Sequence, residues 1–200
     1  MVIARLLGGL LGTFGLLQPL AAASDVERLL AAAIGQIGVT TSYDPAYVRL
    51  AYPGGDVPIE RGVCSDVIIR AMRAVDVDLQ REVHTDMSAH FSAYPALWGL
   101  ERADRNIDHR RVANLETWFV RQGRSMPVSS VASEYQAGDF VSWQLQDGLL
   151  HIGIVAAQRS ADRLRPLIIH NIGAGVRAED LLFAWPIRGH YRWFPAAASP

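Results

Sequence analysis

The 200-residue sequence contains no lysine, and all nineteen of its basic residues are arginine. That absence excludes a phosphate-loop lysine, a Schiff-base lysine and a serine–lysine dyad. Cysteine is nearly absent as well: Cys64 stands alone, so no internal disulfide can form. The formal net charge is −1 and there is no basic run, which argues against nucleic acid as a partner. Beyond the first two dozen residues no apolar run is long enough to span a bilayer.

The one long apolar run opens the chain. Met1 to Ala23 carries a single charge at Arg5, an apolar stretch from Leu6 to Leu17, then Gln18-Pro19 and a small-residue exit at Ala21-Ala22-Ala23. This is the layout of a cleavable secretory signal peptide, too short and too broken to be a membrane anchor. The expected product is periplasmic or secreted, begins at Ser24 and keeps no integral membrane segment. Its residues 24–195 suit one domain with a full core, followed by a short tail at 196–200. Export alters the meaning of the lone cysteine, because a thiol without a disulfide partner is exposed to oxidation or wrong pairing there. Burial is one reason for its survival and chemistry is another.

Cys64 lies in Arg61-Gly62-Val63-Cys64-Ser65-Asp66-Val67-Ile68-Ile69-Arg70. Cys64, Ile68, Ala71 and Val75 recur at helical spacing, which puts the thiol on the inward face of a first helical turn. Free backbone N–H groups and the positive end of the helix dipole favour a thiolate there and offer an oxyanion site. Ahead of it, Ser24 and Glu27 form a capping-box pattern for a first helix whose apolar stripe runs from Val26 to Ile37 and ends at Gly38. Ala46 to Tyr52 reads equally as short strand or turn. A further helix is expected from Leu79 to Ala93, stopped before Pro95, and a short one capped by Asn114 and stopped by Gly123.

The second half changes character. Asp139–Leu145, His151–Ala157, Arg165–Asn171 and Ile187–Phe194 are rich in Val, Ile, Trp and Phe and read as strands. Helices followed by an antiparallel meander make an α+β domain. A hairpin centred between Ser160 and Ala161 would set His151 opposite His170 on one sheet face, with Asn171 on the other. A cysteine nucleophile needs a base, and the base needs an orienting group, so Cys64, His151 and His170 form the candidate catalytic set, with Asn171 as a reserve orienter.

These parts resemble the NlpC-type cysteine hydrolases of the bacterial cell wall, which have a papain-like fold. Those enzymes show a helix opened by Asp-Cys-Ser, a Gly-Asp strand, a His-x-Gly-Ile strand and a strand with a polar third residue. Here they correspond to Val63-Cys64-Ser65-Asp66, Gly138-Asp139, His151-Ile152-Gly153-Ile154 and His170. Val63 stands where the hydrolases usually carry aspartate. More closely, Tyr52-Pro53-Gly54-Gly55-Asp56, the Cys64 segment, Asn106-Ile107-Asp108-His109-Arg110-Arg111, His151-Ile152-Gly153-Ile154-Val155, His170-Asn171-Ile172-Gly173 and Gly189-His190-Tyr191-Arg192 resemble the exported bacterial family called domain of unknown function 1287. The hydrolase resemblance implies Cys64 as nucleophile, His151 as general base and then acid, His170 as orienter, and a tyrosine holding the oxyanion, for which Tyr52 is the nearest match and Tyr43 the second. Asp108, His109 and Arg110 either brace their loop or read a charged substrate end.

The expected function is thus that of an exported thiol hydrolase acting on an amide bond in peptidoglycan stem peptides, monomeric and without cofactor. Two rivals stand beside it. One is a cell-wall peptide-binding module of the same fold that does not cut. The other is a metal site drawn from His84, Asp86, His90, Asp108 and His109, although His84 and His90 do not share a helix face and no metal ligand is assigned.

Overall fold

The computed structural model describes residues 23–194. Residues 1–22 of the expected signal peptide, and the tail, lie outside the described residues. The first helix, α1 (Asp25–Ile34), opens with the capping box anticipated from sequence: Glu27 N–H donates to Ser24 Oγ at 3.3 Å, and Ser24 N–H donates to the Glu27 carboxylate at 2.7 Å. Tight turns then carry the chain to Gly38 at φ +76°. A parallel pair, β1 (Ser42–Tyr43) and β2 (Arg61–Gly62), leads into α2 (Cys64–Arg73), where the Asp66 carboxylate accepts the Val63 N–H at 2.7 Å. The expected Leu79–Ala93 helix is shorter, α3 (Leu79–Ala89), because His90 leaves the helical region and a 3-10 turn follows at Phe91–Ala93. The last helix, α4 (Val112–Arg121), starts two residues before Asn114. Asn114 is therefore not its cap; its Nδ2 donates to the Asp108 carbonyl at 3.1 Å instead.

The four expected strands form as β4 (Phe140–Gln144), β5 (Leu150–Arg159), β6 (Pro166–Asn171) and β8 (Ile187–Tyr191). Two short strands extend the sheet, β3 (Ser125–Met126) at one edge and β7 (Val176–Glu179) at the other. The antiparallel order is β3-β8-β4-β5-β6-β7. The described residues thus form an α+β fold of four helices and an antiparallel sheet. No helix among the described residues is long and apolar enough to cross a membrane.

Strand alternation sorts the side chains between two cores. Phe140, Ile152, Ile154, Ala156 and Ile169 pack with Cys64, Ile68, Leu115 and Phe119 in the layer covered by the helices. Val141, Trp143, Val155 and Ile168 face the other way and are closed over by Tyr135 and Leu182. The Trp143 indole N–H donates to the Leu182 carbonyl at 2.9 Å and fixes that loop. Asp139 fastens the middle of the sheet, accepting from Arg192 (2.7 Å), His190 Nε2 (2.7 Å) and Gln136 N–H (2.8 Å). The Gly138-Asp139 and Gly189-His190-Tyr191-Arg192 motifs therefore act in the scaffold.

The β5–β6 register differs from the expected one. Ile154 pairs with Ile169 and Val155 with Ile168, with a shift before Arg159 pairs with Pro166. Continuing the pairing by one step puts Gly153, not His151, opposite His170. A displacement of two residues preserves the faces, so both histidines still share one side of the sheet. Gly153 makes the crossing possible: a Cβ there would lie 2.5 Å from Ile168 Cγ2 and 3.3 Å from His170 Cβ. Gly153→Ala should destabilise the domain by roughly 1–3 kcal/mol, the usual cost of overpacking. Urea unfolding with an unchanged midpoint would contradict this account of the hairpin.

Candidate active site

Cys64 begins α2 and is 3 % exposed. Its sulfur lies where the helix start meets β5. Burial pushes the thiol up to about 11; the N–H groups of Ile152, Ser65 and Cys64 itself favour the thiolate, while the nearby Asp66 carboxylate opposes it. The helix-start effect anticipated from sequence is present, and desolvation outweighs it. The sulfur thus reaches the backbone of Ile152, the residue that follows His151.

His151 is on the opposite side of the β5 backbone from Ile152, 2 % exposed, between Trp143 and Trp185 at ring distances of 5.9 and 6.1 Å. Its Nε2 is 3.0 Å from His170 Nδ1, and His170 Nε2 is 3.0 Å from a Glu179 carboxylate oxygen. The structure therefore joins the two expected histidines and adds Glu179, which sequence reasoning missed. Glu179 lies on β7, with Arg177 directly opposite His170 and Glu179 diagonal to it on the same face. A turn at Gly173-Ala174-Gly175 followed by alternating Val176, Arg177, Ala178 and Glu179 was the available signal. His151 Nδ1 makes no hydrogen bond among the described residues and, unlike His109 Nδ1, is not a sealed, partnerless atom. Burial, and then the His170 ring, hold His151 at about 3; burial also holds His170 below its ordinary value, against the pull of Glu179.

Cys64 opens on a cleft of about 360 Å³ whose walls include Tyr43, Trp98, Arg110, Arg111 and Leu149. A larger open hollow of about 1200 Å³ lies by Tyr47, His84 and Arg105, but it is lined by none of Cys64, His151 and His170. The smaller cleft is the candidate site because Cys64 lines it; His151 and His170 do not. Tyr52 does not belong to it: its ring meets His84 edge-on at 5.3 Å and sits under Arg105. Tyr43 is the tyrosine that lines the cleft, its hydroxyl pushed up to about 12 by burial and then by Cys64. Asn171 is on the helix side of the sheet and does not touch the imidazoles. Its Nδ2 donates to the carbonyls of Gly62 (2.9 Å) and Ser42 (3.2 Å), anchoring the approach to Cys64.

Asp108 and His109 are buried and line neither of these two hollows; Arg110 lines the smaller one but is fully engaged. Arg110 makes a two-pronged pair with Asp66 at 2.9 Å on each prong and donates to the carbonyls of Ala46 and Asp44 at 3.1 Å. Asp108 accepts the Asp104 N–H, and burial lifts its carboxyl to about 6. Asp108 and Arg110 brace the loop, the first of the two roles considered for them, whereas the His109 ring makes no hydrogen bond among the described residues. Among the described residues no group of three or more His, Cys, Asp or Glu is placed to hold a metal ion.

The family model for the domain of unknown function DUF1287 matches residues 30–193. The chain belongs to that family. It is 61 % identical over 159 residues to the uncharacterized protein YijF of Escherichia coli (strain K12), covering 80 % of this chain and 77 % of that one.

Two predictions follow from these proton affinities. Alkylation of Cys64 by iodoacetamide should be slow at pH 7 and rise about tenfold per pH unit up to about pH 10, since only the thiolate reacts; fast labelling with a plateau below pH 8 would contradict a burial-raised thiol. His151 and His109 are both held at about 3, against 6.5 for a free imidazole, so the unfolded chain takes up protons first as pH falls through that window. Stability should therefore drop from pH 6.5 toward pH 3, by up to about 1.4 kcal/mol per pH unit for each histidine. Asp108, raised from 3.8 to about 6, acts in the opposite sense over its own window. Urea midpoints equal at pH 7 and pH 4.5 would reject this balance.

Proposed function

We propose that the protein is an exported thiol hydrolase of amide bonds, with Cys64 as nucleophile, His151 as general base and acid, and a papain-like arrangement of the NlpC type. The supporting observation is the hydrogen-bond chain that ends in Glu179. An ionised carboxylate only accepts, so His170 Nε2 must carry the proton it donates. His170 Nδ1 is then an acceptor, and His151 Nε2 must be the donor across the 3.0 Å contact. His151 Nδ1 is left as a bare lone pair. The acceptor end of the chain thus dictates the tautomer of the base two residues away.

The starting state is a neutral thiol and a neutral imidazole, consistent with the raised thiol and lowered histidine. In the proposed step His151, whose ring lies on the other face of β5 from the Ile152 side chain that packs on Cys64, has to swing within reach of the sulfur; the Cys64 proton then passes to its Nδ1 as sulfur bonds to the amide carbon. The helix-start N–H groups, with the Tyr43 hydroxyl, hold the oxyanion. His151 then gives its proton to the leaving amine as the C–N bond breaks. Water, deprotonated by the same nitrogen, hydrolyses the thioester and restores the thiol. The substrate class proposed is the stem peptide of peptidoglycan, on the strength of the hydrolase resemblance. A peptide-binding module built on the same cleft is the second reading, favoured by the depth at which the sulfur is held.

Purified mature protein incubated with wall fragments should release new amine termini detectable by mass spectrometry. Cys64→Ala and His151→Ala should each abolish release while leaving thermal unfolding cooperative. Glu179→Gln, whose amide can also donate and so permits the wrong tautomer, should lower kcat by roughly 10- to 100-fold with KM little changed. Wild-type turnover in Cys64→Ala would end the hydrolase reading, and wild-type kcat in Glu179→Gln would end the role given to the chain of imidazoles.

A further inference from the structure

The Cys64 cleft contains two consecutive arginines with opposite situations. Arg110 is spent: its guanidinium nitrogens serve Asp66, Asp44 and Ala46. The Arg111 guanidinium makes no hydrogen bond among the described residues, and its Nη1 is a buried nitrogen without a hydrogen-bond partner. Its guanidinium lies over the Trp98 ring at 4.1 Å. Its nearest carboxylate, Asp108, is 3.6 Å away, at ion-pair range but not hydrogen-bonded, and the facing Asp108 oxygen is likewise unpartnered. Trp98 is 52 % exposed, so the stacked pair forms part of the cleft's open rim.

We infer that Arg111, held flat by Trp98, reads a carboxylate carried by the substrate close to the bond that Cys64 attacks. The inference rests on the Cys64 cleft being the substrate site. Stacking occupies the face of a guanidinium and leaves its in-plane N–H edge, which matches a carboxylate with two parallel hydrogen bonds. Nη1 is sealed against Asp108, whereas Nε and Nη2 make no hydrogen bond among the described residues and are not sealed, so they are the donors a ligand oxygen would meet. Asp108 is the one competitor at close range, with Asp104 farther off. Asp108 already accepts the Asp104 N–H, and its geometry toward Arg111 leaves the donors unspent. The rest of the rim is apolar at Leu97 and Leu149, which suits a short peptide whose single charge is met at Arg111.

The test compares N-acetyl-alanyl-alanine with its C-terminal amide as ligands for the full mature chain, measured by calorimetry with Cys64→Ala so that binding is read without turnover. The acid should bind about tenfold or more tightly than the amide, as expected for a partly buried charge-assisted pair. Arg111→Gln should erase the preference, Arg111→Lys should recover part of it, and Trp98→Leu should weaken acid binding while sparing the amide. Equal affinity for acid and amide, no binding of the acid at millimolar concentration, or a preference that survives Arg111→Gln would each overturn the inference. Retained selectivity in a protein that cleaves nothing would preserve the carboxylate site while removing the hydrolase reading. Turnover without selectivity would do the reverse.

Discussion

The Asp66–Arg110 pair is the interaction on which the cleft depends. Asp66 sits in the first turn of α2, accepts the Val63 N–H, and takes both prongs of Arg110. Arg110 reaches on to two carbonyls of the 44–46 loop, and its own carbonyl accepts the Ser65 hydroxyl at 2.7 Å. Three segments far apart in sequence are thereby fixed around the helix start that carries the nucleophile. Both partners are almost wholly buried, where losing one would strand a charge at a cost of about 3–5 kcal/mol. Such a pair adds little net stability over an apolar replacement, so what it contributes is geometry.

The same burial that makes this geometry firm decides the chemistry available. A helix start lowers a thiol's proton affinity by a modest amount, whereas complete desolvation raises it by more, and Cys64 experiences both. The imidazoles of His151 and His170, on the other face of the sheet, are shifted the other way for the same reason. Desolvation thus separates the two affinities and keeps thiol and base uncharged at rest. Under the proposed hydrolase reading, proton transfer would have to accompany attack, which would place the energetic demand on the oxyanion site and on the orientation of His151.

Parts of this were legible in the sequence. Period-3.6 spacing found the cysteine helix, and alternation put His151 and His170 on one face even though the register slipped by two, because a strand's faces repeat every two residues. Glu179 was hidden because β7 is four residues long and follows a glycine turn that gives no length or period to count. The choice between Tyr43 and Tyr52 was unreadable, since order along the chain does not say which tyrosine folds back; the β1–β2 pair carries Tyr43 to the cleft. Asp108, His109 and Arg110 looked like a functional cluster because charged residues in a loop usually face water. Here all three are buried and Arg110 is spent on bracing, while the next residue, Arg111, keeps Nε and Nη2 without hydrogen bonds.

His109 and His151 show why proton affinity alone does not nominate a site. Each is nearly inaccessible and each is held at about 3 by burial. His109 has a sealed Nδ1 with no partner, among Arg110, Arg73 and the helices, and nothing converges on it. His151 has one nitrogen committed to an ordered chain of donors and acceptors, and it stands next in sequence to the residue whose N–H faces the sulfur. The two rings are alike in titration and differ in what the fold has built around them. A buried histidine with a raised or lowered affinity is a common by-product of packing; one whose tautomer is dictated from two residues away is a costlier construction. That difference, rather than the size of any shift, favours chemistry at Cys64 over passive binding.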